Sequence, residues 1–191
     1  MEGAVCPASA LERALLTPPG RSLTRRRADG FNVSLFERAL NNDVPFVRLR
    51  TQRRMRPAIA RLIAPSIYPE LRNHPTTQGR PTVCGLTSSV HVVTHEASER
   101  YRGELLSPEN EHEALVICLL CALFAGVGYA GSRLTVLSAY VGQLLLLKST
   151  LGGCGMEDVA VTTVDAYQGE ENDLILLSLV RSNEQVRAHV A

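Results

Sequence analysis

The clearest pattern of hydrophobic and polar positions lies in the second half of the chain. Three largely apolar stretches, at 134–139, 159–164 and 174–180, alternate with two longer stretches that predict helices, at 107–124 and 142–151. Strands that are apolar along their whole length are typical of parallel sheets that carry helices on both faces. The pattern therefore predicts an α/β fold, with helices on both faces of a parallel sheet and ligands at the carboxyl ends of the strands.

Shorter elements are predicted in the first half. Ser34-Leu35-Phe36-Glu37 fits a capping box, which predicts a short helix that runs to about Asn41. The apolar stretches 44–49 and 90–94 predict two strands. Pro57 suits the first turn of a further helix, and Ser107-Pro108-Glu109 predicts another helix start, with serine as N-cap and proline at the first helical position.

Composition bounds the size and the class of the protein. The chain has 191 residues, 45% of them hydrophobic, which suits one domain with an appendage. A net charge of +1 provides no overall positive field for nucleic acid, so such contacts would depend on local arginine clusters. Residues 1–30 are rich in proline and arginine and are predicted to be flexible, whereas 31–191 are predicted to form the folded domain.

The cysteines and the apolar runs exclude several classes. Five scattered cysteines do not form a secreted disulfide framework, and the pair Cys118 and Cys121 lies in an apolar helical run that predicts buried thiols. His91 and His95 lack a third ligand nearby, so no metal site is predicted. Because the chain shows neither a signal peptide nor a membrane-length apolar run, we expect an intracellular protein, cytoplasmic or nuclear, without membrane contact.

An arginine-rich segment follows the stretch 44–49. It reads LRTQRRMRP from Leu49 to Pro57. An arginine at a strand-to-helix junction can present its planar guanidinium to phosphate oxygens, with a helix N-terminus behind it. On composition alone, a solvated basic turn is the alternative.

Two further segments follow predicted strands. The turn Tyr140-Val141-Gly142-Gln143 predicts either a ligand contact or a helix-capping turn with a partly buried tyrosine. The loop 165–173, AspAlaTyrGlnGlyGluGluAsnAsp, is dense in carboxylates and amides, and Gly169 allows a ligand to approach the backbone closely. The alternative for this loop is an ordinary connection between two strands.

Taken together, these segments resemble superfamily 1 helicases of the DNA2/NAM7-like branch, which contains the nonsense-mediated-decay helicase. Gln52, Arg54, Met55 and Pro57 match the branch signature Q-Y-R-M-H-P, although arginines replace its tyrosine and histidine. The stretch 161–183 matches motif V closely, and the text between the motifs resembles the NFX-type zinc-finger-containing helicases.

The resemblance implies a RecA-like domain of the P-loop NTPase superfamily, corresponding to the second lobe of an ATP-dependent helicase. It implies that Arg54 is the catalytic arginine that acts on the γ-phosphate, and that ATP with Mg²⁺ is the cofactor. The residues implied to bind the nucleotide are Gln52, Gly169 and Glu171. The residues implied to bind single-stranded RNA or DNA are Thr163, Tyr140 and Gln143.

The chain also lacks parts that the resemblance would require. The phosphate loop G-x-x-x-x-G-K-[ST] occurs nowhere, and the sequence stops before the last arginine motif of the family. We therefore expect a lobe that is truncated at both ends. It would hydrolyse ATP only with a complementary first lobe or a full-length helicase. The alternatives are a non-catalytic RNA-binding or interaction module, and a truncated product that folds poorly.

Overall fold

A computed structural model describes residues 33–64, 66–102 and 106–182. The chain divides into two compact units, Met1–Pro81 and Thr82–Ala191. Residues 1–30, which are predicted to be flexible, lie outside these described ranges.

The first unit contains short elements. They are helix α1 (Leu35–Asn41), strand β1 (Thr51–Gln52), helix α2 (Pro57–Ala60), strand β2 (Arg72–Asn73) and a 3₁₀ turn (Pro75–Thr77). Ser34 Oγ accepts a hydrogen bond of 3.0 Å from the Glu37 N–H, so the predicted N-cap of α1 is confirmed.

The strand predicted at 44–49 is wrong, because that stretch has no regular structure. Strand pairing begins only at Thr51, where β1 meets β2 in parallel. An apolar run becomes a strand only where a neighbouring strand completes its hydrogen bonds. Here Val47 and Leu49 are instead 89% and 87% exposed.

The second unit contains the parallel sheet. Its elements are β3 (Arg100–Arg102), β4 (Ser107–Glu109), α3 (Glu111–Gly126), β5 (Leu134–Ser138), α4 (Val141–Gly153), β6 (Ala160–Thr163) and β7 (Leu174–Ser178), with a 3₁₀ turn at Gly131–Arg133. The sheet has the strand order β6-β5-β7, and both pairings are parallel. The predicted α/β class and parallel sheet are confirmed.

Helices α3 and α4 contribute to one hydrophobic core beneath the central strand. The members of this core are Ala114, Ile117, Cys118, Cys121, Phe124, Leu134, Val136, Leu147 and Leu151. Leu134 and Val136 point to the same face of β5, because side chains alternate along a strand. On the other face of the sheet, Ile175 and Leu177 of β7 are 38% and 52% exposed. Within the described residues, both long helices therefore serve one face of this sheet.

Two further predicted elements are wrong. Ser107-Pro108-Glu109 forms strand β4, antiparallel to β3, and Asn110 is the N-cap of α3 instead. The hydroxyl of Ser107 is used elsewhere, since it accepts a hydrogen bond of 2.9 Å from the N–H of Gly142. The stretch 90–94, predicted as a strand, has no regular structure.

Candidate nucleotide and nucleic-acid site

The arginine-rich segment forms a tight turn that the side chain of Gln52 closes. Gln52 Oε1 accepts hydrogen bonds from the N–H groups of Arg54 (2.9 Å) and Met55 (2.7 Å). Gln52 Nε2 donates to the carbonyl of Met55 and to Asn73 Oδ1, each at 2.6 Å. These four bonds hold the backbone of the turn against both β1 and β2, and Arg54 is exposed on it.

This geometry changes the role that the sequence implied for Gln52. Four hydrogen bonds occupy both ends of its amide, so the side chain positions the turn; its direct contact with a nucleotide stays a prediction. The expected support from a helix dipole is also reduced, because α2 has only four residues. Arg54 and its neighbour Arg53 are both exposed on this turn, and the contact of Arg54 with a phosphate stays a prediction.

In the second unit, Tyr140 and Thr163 lie at the carboxyl edge of the sheet. Thr163 is the last residue of β6 and pairs with Ser138, the last residue of β5. Ser138 Oγ accepts a hydrogen bond of 3.1 Å from the N–H of Tyr140, which fixes the turn into α4. Tyr140 is half-buried. The structure thus brings together two of the three residues predicted to contact nucleic acid at the edge where the sequence placed them.

The third of these residues, Gln143, has a different role from the predicted contact with nucleic acid. Its side chain is fully buried. Gln143 Oε1 accepts from the N–H of Asn110 at 2.6 Å, and Gln143 Nε2 donates to the carbonyl of Asn110 at 3.1 Å. Since both ends of the amide are used inside the protein, Gln143 joins the start of α4 to the start of α3 and offers no amide to nucleic acid.

The loop 164–173 begins at the same carboxyl edge. Thr163 Oγ1 accepts a hydrogen bond of 3.3 Å from the N–H of Ala166, and the carbonyl of Thr163 accepts one of 3.1 Å from Tyr167. Gly169 has a φ of +94°, in the left-handed region that glycine tolerates best. Nothing lies within 4 Å of where its Cβ would stand, so this backbone angle, rather than crowding, requires the glycine.

The end of the loop lies at the opposite edge of the sheet, which the sequence did not predict. Asn172 Nδ2 donates to the carbonyl of Ser132 (3.0 Å) and to Thr135 Oγ1 (2.8 Å), and Asp173 Oδ2 lies 2.9 Å from Arg133 Nε. These partners precede or begin β5. Glu171, which is exposed, directly precedes this anchored pair. Only the first half of the loop therefore lies at the carboxyl ends of the strands.

Sequence reasoning missed a buried polar junction at the carboxyl end of β7. Glu113 Oε2 accepts hydrogen bonds from Ser178 Oγ (2.6 Å) and from the N–H of Val180 (3.1 Å), and Glu113 Oε1 lies 3.2 Å from His95 Nε2. Val180 has a φ of +70°, a strained angle for a β-branched residue, and Asn110 Nδ2 donates to its carbonyl at 3.4 Å. In the sequence, Glu113 is one of two acidic residues in the first turn of α3, and nothing local distinguishes its carboxylate from that of Glu111.

Neither a metal site nor a membrane span is visible in the described part of the chain. Within 33–64, 66–102 and 106–182, no three side chains of His, Cys, Asp or Glu are grouped so that they could hold a metal ion. Over the same ranges, no helix combines the length and the hydropathy needed to cross a bilayer.

Residues 31–190 match the protein family whose description is "AAA domain". The chain belongs to this family. It is 45% identical to human "NFX1-type zinc finger-containing protein 1" over 83% of its length, which is 8% of that protein. It is also 35% identical, over 97% of its length, to "Helicase required for RNAi-mediated heterochromatin assembly 1" of Schizosaccharomyces pombe, of which it spans 20%. An Arabidopsis thaliana "Regulator of nonsense transcripts 1 homolog" is 30% identical over 81% of the chain and 13% of the relative.

These relatives confirm the resemblance on which the sequence analysis depended. The chain is a superfamily 1 helicase domain of the DNA2/NAM7-like type, with the α/β fold of that class. It spans only a small part of each of the three relatives, so their complete activities enter below as proposals.

Proposed function

We propose that the AAA-domain chain supplies the second RecA-like lobe of an ATP-dependent nucleic-acid helicase, acting in the cytoplasm or nucleus. Arg54 faces the nucleotide, and Thr163 and Tyr140 face single-stranded RNA or DNA. The observation that carries the proposal is the turn closed by Gln52. Four hydrogen bonds of the Gln52 side chain fix the turn after β1 that carries the exposed Arg54.

The arrangement around Arg54 suits phosphoryl transfer. ATP bound with Mg²⁺ supplies the transferable γ-phosphoryl group, whose charge spreads over its oxygens in the transition state. A guanidinium offers planar, bidentate donors to such oxygens and keeps its charge at all physiological pH values. Because the backbone N–H of Arg54 is itself bonded to Gln52, little loop entropy would be lost when the side chain engages phosphate.

In the second unit, Gly169 and Glu171 are the residues proposed to contact nucleotide. The left-handed backbone at Gly169 allows an approach that a residue with a Cβ would disfavour. The carboxylate of Glu171 is exposed and can accept hydrogen bonds from ribose hydroxyls.

The carboxyl edge of the second unit suits nucleic acid. The hydroxyl oxygen of Thr163 accepts a bond from Ala166, so the hydroxyl proton can donate to a phosphate oxygen. Tyr140 is half-buried, its backbone is held by the hydroxyl of Ser138, and an aromatic ring at this edge could stack on a base. Neither contact reads sequence, as expected for a motor that tracks along a strand.

The nucleotide side is tested by ATP turnover. The purified chain should show no turnover alone, and turnover should appear when it is mixed with a polypeptide that carries the phosphate-loop lobe of a superfamily 1 helicase. Arg54→Ala should lower that turnover by about 10³-fold or more, the usual effect of losing such an arginine. Arg61→Ala, at an exposed arginine of the same unit, is the matched control and should leave turnover unchanged.

Two outcomes would contradict this assignment. One is turnover by the chain alone after contaminating ATPases are removed. The other is an equal loss of turnover in the Arg54 and Arg61 variants, which would indicate a general effect of charge.

The nucleic-acid side is tested by fluorescence anisotropy with labelled single-stranded RNA. Affinity should fall as salt rises from 50 to 200 mM, because phosphate contacts release counterions. Tyr140→Ala should weaken binding by about 5- to 150-fold, the equivalent of one stacked base. Tyr101→Ala, at a tyrosine 56% exposed on β3, should not. If RNA affinity depends on salt but changes neither with Tyr140→Ala nor with added nucleotide, the result would instead favour the non-catalytic binding module.

A further inference from the structure

Two cysteines lie side by side, one on α3 and one at the residue that follows α4. Cys118 is buried on α3, and Cys154 is exposed directly after α4. Their sulfur atoms are 3.1 Å apart, with the thiol of Cys118 donating to the sulfur of Cys154. Neither thiol has a place in the proposed helicase function, so the following inference is independent of it.

The backbone around Cys154 can accommodate a bond between these sulfurs. A disulfide requires an S–S distance of about 2.05 Å, so the two atoms would approach by about 1 Å. Cys154 lies between Gly153 and Gly155, and a Cβ at either glycine would meet nothing within 4 Å. Gly155 has a φ of +71°, so the chain turns here without a side chain that resists a small shift. One thiol is thus fixed in the core and the other lies on an adjustable, solvent-facing turn.

We propose that Cys118 and Cys154 form a reversible dithiol–disulfide site, oxidised by peroxides and reduced by small thiols. In the first step, with hydrogen peroxide as oxidant, the sulfur of Cys154 attacks one peroxide oxygen, the O–O bond breaks, and Cys154 becomes a sulfenic acid while hydroxide leaves and takes up the thiol proton of Cys154 as water. In the second step, the sulfur of Cys118 attacks the sulfur of Cys154, and the sulfenic oxygen leaves with the thiol proton as water. Two thiols and one peroxide thus give one disulfide and two waters.

The order of these steps follows from the surroundings of the two thiols. Burial, aided by the hydrogen bond to Cys154, raises the pKa of Cys118 to about 11, so this thiol keeps its proton at neutral pH. The exposed sulfur of Cys154 meets a solvent oxidant first, and Cys118 then resolves the sulfenic acid. Cys121 is also on α3, but burial raises its pKa to about 12 and its side chain is 1% exposed.

The bond would join the middle of α3 to the end of α4, across 36 positions of sequence. Such a link restricts the unfolded chain, and for a loop of this size the midpoint of thermal unfolding should rise by on the order of 10 °C.

The experiment treats the purified chain with a small excess of hydrogen peroxide, alkylates the remaining thiols, and maps the peptides by mass spectrometry. We expect an intramolecular Cys118–Cys154 peptide, the loss of two of the five thiols, a higher unfolding midpoint, and full reversal by dithiothreitol. Cys154→Ser, at an exposed position, should abolish the linked peptide and the rise in midpoint. Cys84→Ser, at another exposed cysteine, should behave as the unchanged chain.

Several results would overturn the proposal. They are a linkage through Cys84 or Cys121, a bond between two molecules, over-oxidation of Cys154 with no bond formed, or a linked peptide that persists in the Cys154→Ser variant.

Discussion

Replacing Gln143 with leucine tests the interior role that the structure gives this residue. Leucine nearly matches glutamine in size but removes both hydrogen bonds to Asn110. The carbonyl of Asn110 still accepts from the N–H of Ala114 at 3.1 Å, so only the buried N–H of Asn110 is left without its partner. An unsatisfied buried donor costs about 1–3 kcal/mol. At about 4 °C per kcal/mol for a unit of this size, the unfolding midpoint should fall by about 4–12 °C.

The assay is thermal and urea unfolding followed by circular dichroism, with RNA affinity measured at a temperature where the variant is folded. Ser149→Ala, at an exposed serine of the same helix, is the control and should change stability by less than about 0.5 kcal/mol. RNA affinity per folded molecule should stay within about twofold of the unchanged chain, because the lost amide lies inside the protein. Unchanged stability together with a large loss of RNA affinity would refute the reasoning and restore the sequence-based assignment of Gln143 to nucleic acid.

Two further predictions concern α3 and α4. In Gly142→Ala the new methyl would lie 2.8 Å from a backbone oxygen of β4, so crowding should outweigh the gain of about 1 kcal/mol in helix propensity and lower the urea midpoint. In Gly152→Ala the nearest atom is 3.9 Å from the new methyl, so the urea midpoint should rise. Equal shifts of the midpoint in the two variants would contradict the crowding at Gly142. Burial raises the pKa of Cys121 to about 12, above its unfolded value of about 9, so its stabilising contribution is complete below pH 9 and falls as pH rises towards 12. The urea midpoint should therefore decline above pH 9, and less steeply in Cys121→Ala; identical slopes would contradict the assignment.

Local patterns were reliable where one short stretch contains all the information that its structure needs. The N-cap at Ser34 requires only a hydroxyl and an amide three residues later, and both were legible in the sequence. The three parallel strands were found because each is a continuous, largely apolar run, although only the central strand β5 is largely buried. The positive φ at Gly169 likewise has a local cause, since only the backbone angle requires glycine there.

Predictions failed where a distant partner decides between two local solutions. Ser107-Pro108-Glu109 has the sequence of a helix start, but it forms a strand because it pairs with β3. The hydroxyl of Ser107, which would have capped the helix, instead accepts a hydrogen bond from the N–H of Gly142. The stretch 44–49 has the composition of a strand but pairs with no other strand. Such outcomes depend on contacts that no window of sequence contains.

The sequence by itself determined the family, through the resemblance of its motifs to those of known helicases. It also determined the parallel α/β sheet, because continuous apolar runs predict its strands. Only the tertiary structure decided which motif side chains face outward. It left Arg54 exposed on a partly exposed turn that the amide of Gln52 closes, while it bonded the amide of Gln143 to the backbone of Asn110 inside the protein. The physical reason is that every buried backbone donor needs an acceptor, and which side chain supplies it depends on how distant elements meet in space.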